Sequence, residues 1–442
     1  MLKLRYYIRL LRAFIQRFKA LLVIGILLGF VFFLSLNFIF PLFFATTTQR
    51  IGYAGRFTTN TLPNPIQELI SDGLVIVQAD GSIQPNLASS WEFKDGGETW
   101  IFHLDPNKQW QDGKKVTSQS LTYSFNDVII ETPDSQTIVF RLKEKFSPFP
   151  SVVSIPIFKK GTLIGTDQWK VSKLSLVGDL IEYIVLTDKQ GNKKIIKFYP
   201  SEERAKTAFK LGEIDQIRDM LDPTPLKDWE TVTVDENITL NRYVAVFFNT
   251  QDPVFDKNKS LRQALSYAID KDSLSPNRAL GPISPDSWTF NPQIKDYSFD
   301  TDRAKQLLTD IPKAQRENLA IKLTTTSNLR ADAERIAKNW NAIGIKTTVS
   351  LSSGIPSEYQ AFLAIYDSPF DPDQYVTWHS SQQETNISKY SDPRIDKLLE
   401  DGRLETNTNQ RKVIYFDFQR FLLEDAPAAF LYHPISYTIT RK

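Results

Sequence analysis

Residues 85–127 read PNLASSWEFKDGGETWIFHLDPNKQWQDGKKVTSQSLTYSFND, and this segment is the most informative part of the sequence. Polar and apolar residues alternate up to a polar turn at 95–97 and alternate again over 99–103. Two alternating segments joined by Asp-Gly turn chemistry predict a β-hairpin. A second polar turn follows at 111–113, and Thr117 ahead of spaced apolar residues predicts the start of a helix.

The order of these residues closely resembles the signature region of the extracellular solute-binding proteins of family 5, the peptide-binding proteins of ABC importers. The segment 165–171 (GTDQWKV) stands where that family has GTGPYKV, with the three central residues changed. The helix-like 201–215 (SEERAKTAFKLGEID) and the pairing of FFNT at 247–250 with LRQALSYAIDKDSL at 261–274 are also similar. The resemblance covers most of residues 51–440 in the same order.

Strand and helix patterns alternate in two blocks, which predicts two α/β lobes. The resemblance implies a two-lobed periplasmic-binding-protein-like fold of type II, in the peptide-binding cluster, after one N-terminal transmembrane helix. We expect the following segments: 1–19, a cytoplasmic basic segment; 20–44, a transmembrane signal anchor; 45–55, a tether; 56–247, lobe I; 248–427, lobe II; and 428–442, a strand returning to lobe I.

The N-terminal region has the composition of a membrane anchor. Residues 20–49 contain no charged side chain, and about 20 apolar residues are enough to cross a bilayer. Eight basic residues precede the first acid, Glu68, so the rest of the chain holds 45 of the 53 basic residues and all 51 acidic ones. By the positive-inside rule the N-terminus is cytoplasmic and the mildly acidic remainder lies outside.

An uncleaved anchor is favoured because the apolar stretch is long for a signal peptide and no small-x-small site stands out near Ala45. Arg5, Arg9 and Arg12 share one helical face, which suits a segment lying on anionic lipid, although simple topogenic charge is the alternative. The acidic remainder offers no electrostatic footprint for nucleic acid, so we expect no nucleic-acid partner.

Several kinds of site are disfavoured by composition. The chain has no cysteine and only three histidines, His103, His379 and His433, which lie far apart in sequence. We therefore expect no metal site and no cofactor. His379 precedes two serines, but no Gly-x-Ser-x-Gly elbow or phosphate-binding glycine loop accompanies it, so we expect a protein that is not an enzyme.

The candidate ligand loop is 362–382 (FLAIYDSPFDPDQYVTWHSSQ). In relatives the corresponding loop presents an aspartate to the α-ammonium of a peptide, a charge-assisted hydrogen bond. Asp371 stands before the matching proline, but the spacing back to Asp367 is one residue longer than in the family. The amine anchor is therefore left open among Asp367, Asp371 and Asp373, and a solvated acidic turn is the alternative for each.

Aromatic and polar residues complete the candidate site. Tyr375 and Trp378 are either walls of the binding site or ordinary core residues. Residues 50–75 resemble the family's opening strand, ligand-side loop and first helix. Thr58, Thr59 and Asn60 in this segment are candidates for hydrogen bonding from lobe I, with a plain N-terminal linker as the alternative.

The resemblance implies a membrane-anchored, single-pass, extracytoplasmic binding component of an ABC importer. Such a protein captures a short peptide by hinge closure and delivers it to permease and ATPase subunits. We expect a monomer. The alternatives are the same fold with other cargo, such as a nickel chelate, an oligosaccharide or a signal molecule, and an anchored cell-envelope hydrolase or interaction protein.

Overall fold

The computed structural model describes residues 2–34 and 46–442. Its helices are α1 (Leu2–Leu34), α2 (Asn64–Gln67), α3 (Phe149–Val152), α4 (Glu202–Lys210), α5 (Lys259–Ala268), α6 (Thr301–Leu308), α7 (Lys313–Glu317), α8 (Arg330–Ala342), α9 (Tyr375–Trp378), α10 (Pro393–Leu404) and α11 (Thr408–Asp425). Its strands are β1 (Thr48–Ala54), β2 (Val75–Val77), β3 (Ile83–Pro85), β4 (Ala88–Lys94), β5 (Thr99–Leu104), β6 (Val128–Glu131), β7 (Thr137–Leu142), β8 (Lys170–Val177), β9 (Leu180–Thr187), β10 (Lys193–Tyr199), β11 (Gln216–Met220), β12 (Val232–Ile238), β13 (Arg242–Phe248), β14 (Ala320–Thr325), β15 (Lys346–Leu351), β16 (Ala361–Asp367), β17 (Ala428–Tyr432) and β18 (Ile435–Arg441).

The long N-terminal helix α1 is interrupted at Phe18, whose backbone is not helical (φ −113°, ψ 16°). The segment Arg12–Leu34 has the length and composition to cross a membrane, with a mean hydropathy of 2.2, and none of its most apolar window is buried. The expected anchor at 20–44 coincides with this helix as far as Leu34. Its remainder, and the position near Ala45, lie outside the described residues.

Lobe I is built on a seven-stranded mixed sheet with the order β12-β18-β11-β1-β10-β9-β8. β1 is a central strand of this sheet, parallel to both β10 and β11. The tether expected at 45–55 is therefore wrong from Thr48 onward. The partners of β1 lie more than 140 residues away in sequence, and local composition does not reveal such pairing.

A smaller four-stranded sheet, β4-β5-β7-β6, extends lobe I and contains the signature hairpin. The hairpin is confirmed, since β4 and β5 pair antiparallel around the turn at 95–97. The helix expected from Thr117 is wrong, because only a 3₁₀ turn forms at Ser118–Ser120. The Trp110 indole donates to Ser120 Oγ (3.0 Å), and Leu121 pairs with Lys159, which holds the following chain extended.

Lobe II is built on a five-stranded sheet with the order β15-β14-β16-β13-β17. Successive residues of β13 enter two different hydrophobic clusters, Val244 and Val246 in one and Ala245 and Phe247 in the other. A strand buried on both faces is apolar at every position, which explains the run VAVFF.

The pairing of β13 also moves the lobe boundaries. β13 pairs antiparallel with β16 and β17, so lobe II begins at Arg242 and not at residue 248. Residues 428–432 likewise belong to lobe II, and only β18 returns to the sheet of lobe I. In the described chain the two crossings between the lobes are therefore 239–241 and 433–434.

Helix caps agree with the polar residues seen in the sequence. Ser201, Asn258 and Asp300 accept hydrogen bonds from the first turns of α4, α5 and α6. Helix α5 ends at Ala268, and beyond it the buried Lys271 donates from Nζ to Ser266 O (2.6 Å). These elements leave the C-terminal end of β16 at the junction of the lobes.

Candidate functional site

The acidic loop begins where β16 ends, at Asp367, and continues into the short helix α9. Its three aspartates have different environments. The Asp367 side chain is 66% exposed, whereas that of Asp373 is 12% exposed and that of Asp371 is 6% exposed. Exposure therefore separates three carboxylates that the sequence left equivalent.

Asp371 is held by Arg411 of α11 in a buried bidentate ion pair. Arg411 Nη2 lies 2.7 Å from Asp371 Oδ1, and Nη1 lies 3.1 Å from Oδ2. Burial acts to lower the pKa of Arg411, but the charge of Asp371 more than offsets this, and the pKa is raised above its ordinary value. Arg411 thus stays charged, and the Asp371 carboxylate is already paired.

Asp373 is paired in the same way with Arg403 of α10. Arg403 Nη2 lies 2.8 Å from Asp373 Oδ2, and Arg403 Nε donates to both carboxylate oxygens at 3.0 and 3.1 Å. The guanidinium also stacks over the Tyr375 ring, 3.8 Å from its centroid. Asp373 and Tyr375 therefore form a packed cluster with Arg403 that fixes the shape of the loop.

Trp378 lies in the core. Its side chain is 0% exposed and packs against Phe247 and Phe430 of the lobe II sheet. Of the two alternatives, binding-site wall or core, the structure places this ring in the core, because α9 turns it toward the sheet.

His379 contacts a serine that we had not expected it to pair with. Its Nδ1 lies 2.8 Å from Ser381 Oγ, and its Nε2 lies 3.5 Å from Glu400 Oε1. The next two backbone N–H groups are already used, because Gln382 donates to His379 O and Gln383 donates to Ser381 O. Ser381 N also donates to His379 Nδ1 at 3.1 Å, so these contacts belong to a local turn.

Asp367 takes part in a charged cluster that joins the two lobes. Arg242, the first residue of β13, donates from Nε to Asp367 Oδ1 at 2.6 Å. The same guanidinium donates from Nη1 to Asp219 Oδ1 of lobe I at 2.8 Å. Asp219 has a left-handed backbone (φ 54°) at an irregular point of the pairing between β11 and β18.

This cluster carries two carboxylates and one guanidinium. Burial acts to lower the pKa of Arg242, yet its hydrogen bonds to Asp219 and Asp367 together raise that pKa above its ordinary value. The Asp219 and Asp367 side chains remain 47% and 66% exposed. One additional cation, such as a ligand ammonium, would make the cluster neutral, with a carboxylate on each side.

The same place contains both chain crossings between the lobes. Asn241 and Ser368 exchange two hydrogen bonds, at 2.7 and 2.8 Å. His433 in the second crossing lies with Nδ1 2.8 Å from Arg242 O, and because a carbonyl only accepts, Nδ1 carries the proton. Burial lowers the pKa of His433. The charged cluster therefore lies beside both chain crossings between the lobes.

The candidate residues of lobe I lie in the loop after β1. Thr58 N donates to Thr61 Oγ1 at 2.9 Å, which closes a turn, and Thr59 and Asn60 are exposed. Thr59 also borders an apolar cavity of lobe I lined by Leu62 and Ile70, among other residues. Within residues 46–442, no hydrogen bond or ion pair joins this loop to the acidic loop, so its part in binding stays a prediction.

A groove of about 420 Å³ lies between the small sheet and lobe II. Its walls include Trp91, Phe93 and Trp100 from the hairpin, together with Trp288 and the Asp371–Arg411 pair. The volume falls in the range of small-molecule sites. The groove is therefore a concave surface next to the acidic loop, large enough for a small molecule.

The arginines that pair with the three aspartates of the acidic loop were not predicted from the sequence. Arg242, Arg403 and Arg411 lie 125, 30 and 40 residues from Asp367, Asp373 and Asp371. The only local signal was a charged residue at the very start of the apolar strand β13. Among residues 2–34 and 46–442, no group of three or more His, Cys, Asp or Glu side chains lies together as a metal site.

Comparison with known proteins shows which proteins this chain resembles. The sequence model described as "Bacterial extracellular solute-binding proteins, family 5 Middle" matches residues 82–386. Di/tripeptide-binding protein 1 of Pseudomonas aeruginosa is 22% identical, over 91% of this chain and 90% of that protein. The probable D,D-dipeptide-binding periplasmic protein of Escherichia coli is 23% identical, over 81% and 82% of the two chains.

Solved structures show the same fold. A Campylobacter jejuni protein in complex with Ni(L-His) superposes with a TM-score of 0.74 at 24% identity, covering 89% of this chain and 94% of its own. A Helicobacter pylori periplasmic binding protein in complex with the peptide STSA gives 0.68 at 20% identity, covering 90% and 94%. Because the family model matches more than half of its length, the chain belongs to family 5 of the bacterial extracellular solute-binding proteins.

Proposed function

We propose that this protein is the membrane-anchored, extracytoplasmic binding component of an ABC importer and that it captures short peptides. The observation that carries the proposal is the Asp219–Arg242–Asp367 cluster, which joins the lobes at the hinge and has two exposed carboxylates. Support for peptide cargo comes from relatives named as dipeptide- and oligopeptide-binding proteins. Binding, without turnover, is the activity of such a component.

The proposed mechanism is closure of the lobes around the ligand. The crossings at 239–241 and 433–434 absorb the rotation, and a ligand held by both lobes shifts the population toward the closed form. Asp219 and Asp367 supply one carboxylate from each lobe. Arg242 already bridges these two carboxylates, so a ligand cation bound beside it would be held by both lobes and its binding energy would favour the closed form.

The amine anchor in this proposal is Asp367. Asp371 and Asp373 are occupied by Arg411 and Arg403, whereas Asp367 shares Arg242 with Asp219 and remains exposed. A peptide ammonium carries three N–H donors, which suits a pair of carboxylates. Asp371, Asp373 and Tyr375 then act by holding the loop in place.

A binding experiment tests this function. The purified full-length chain, in detergent, is expected to unfold at a higher temperature when a dipeptide mixture is added. At 100-fold excess over the dissociation constant the stabilisation is about 2.7 kcal/mol by mass action. Scattering is expected to show compaction with ligand. Haem and nickel–histidine are the comparison cargoes, and stabilisation by one of them without any response to peptides contradicts peptide capture.

The anchor has its own test. Protease added outside intact cells is expected to degrade the chain after Gln49 and to spare the N-terminal segment, because the basic residues keep that segment inside. A tag fused at residue 1 and a tag at the C-terminus report the two sides. Recovery of the whole chain in the cytosol contradicts the topology, and a mature N-terminus near Ala45 shows a cleaved signal instead.

A further inference from the structure

The break at Phe18 separates two parts of α1 that differ in sequence pattern. Residues 2–17 carry five cations and no acid, whereas residues 20–34 carry no charge. A membrane span requires about 20 predominantly apolar residues, and residues 20–44 are long enough to supply it alone. Residues 2–17 are therefore helical without being needed to cross the membrane.

The first part has two distinct faces. Arg5, Arg9, Arg12 and Gln16 are spaced i, i+4, i+7 and i+11. Tyr7, Leu11, Phe14 and Phe18 repeat that spacing two residues later, which places them about 200° around the helix. Phe14 and Phe18 are 51% and 37% exposed, and their ring centroids lie 4.9 Å apart. The arginine positions and the aromatic positions thus lie on opposite sides of the helix.

Topogenic charge alone does not require this arrangement. The positive-inside rule counts lysines and arginines near a span and is indifferent to the face on which they lie. Because residues 20–44 already cross the bilayer, a straight continuation through residues 5–17 would extend into water and leave the aromatic positions exposed, which is unfavourable. A change of direction at Phe18 instead lets each face meet its own environment.

We propose that residues 2–17 form an in-plane helix on the cytoplasmic leaflet, with the arginine face on anionic lipid headgroups and the aromatic face in the interface. The partner is an anionic lipid surface because the segment carries only positive charge and is joined directly to the apolar helix. Each arginine near such a surface contributes roughly a five-fold factor to partitioning. The proposal rests on the anchor proposed above.

Site-directed labelling tests the orientation. The chain has no native cysteine, so F14C and Q16C each give a single nitroxide position in the full-length protein in nanodiscs. In discs with phosphatidylglycerol, the label at 14 is expected to be accessible to oxygen and the label at 16 to a water-soluble nickel complex. Discs with only phosphatidylcholine, or 1 M salt, are expected to reduce this contrast several-fold.

A composition-matched variant provides the control. R9L/L11R keeps every residue type and the net charge but moves one cation to the aromatic face, so the contrast between labels 14 and 16 is expected to fall. The variant is still expected to stay in the membrane fraction, and its loss from that fraction would point to failure of the anchor itself. Equal burial of both labels overturns the proposal in favour of a span that begins before residue 14. Equal exposure to water in both lipids, or no effect of the swap, overturns it in favour of topogenic charge alone.

Discussion

Replacing Arg411 with leucine is expected to lower the free energy of unfolding by about 3–5 kcal/mol. The substitution leaves the Asp371 carboxylate without its bidentate partner at a site where its side chain is only 6% exposed. An unpaired buried charge loses its hydration without compensation. Urea unfolding of the full-length chain, followed by tryptophan fluorescence, measures the change.

Two variants control for this effect. Arg330 forms an exposed ion pair with Glu334 one helical turn away, at 2.8 Å, so R330L removes the same kind of side chain at a cost below about 1 kcal/mol. The double variant D371N/R411L removes both charges and is expected to recover much of the stability lost in R411L. If R411L were as stable as R330L, the Asp371–Arg411 pair would not be what holds the acidic loop.

Replacing Asp367 with asparagine is expected to weaken peptides with a free amine by roughly 2–5 kcal/mol, which is about 30-fold or more in the dissociation constant. Lobe closure would remove water from the peptide ammonium. Because the ammonium is then no longer hydrated, losing the charged partner on Asp367 is costly. N-acetylated peptides lack that charge and are expected to bind D367N and the parent protein alike. Calorimetric titration with matched free and acetylated dipeptides makes the comparison.

Substitutions of two other aspartates distinguish amine capture from a loss of stability. D219N is expected to show the same selective loss, because Asp219 contacts the other side of Arg242. D373N breaks the contact with Arg403 and is expected to lower stability without distinguishing the two peptide forms. Equal affinity of the parent protein for free and acetylated peptides would refute amine capture and make the cluster a purely structural hinge contact.

The family and the broad architecture were predictable because their signals are local. Alternation on both sides of an Asp-Gly-Gly turn specifies a hairpin wherever the chain is found, and β4 and β5 formed as expected. The helix expected at Thr117 failed because contacts from Trp110 and Lys159, outside the pattern, hold that chain extended.

The signature hairpin and the family were predictable from the sequence, since periodicity and turn chemistry act over a few residues. The long-range partners of each element came from the tertiary fold. It made residues 48–54 a central strand instead of a tether, through partners on β10 and β11. It also buried Asp371 and Asp373 against arginines and left Asp367 exposed at the hinge. Ion pairs and sheet neighbours depend on three-dimensional proximity, and the spacing of aspartates along one loop carries no record of the arginines that fold beside them.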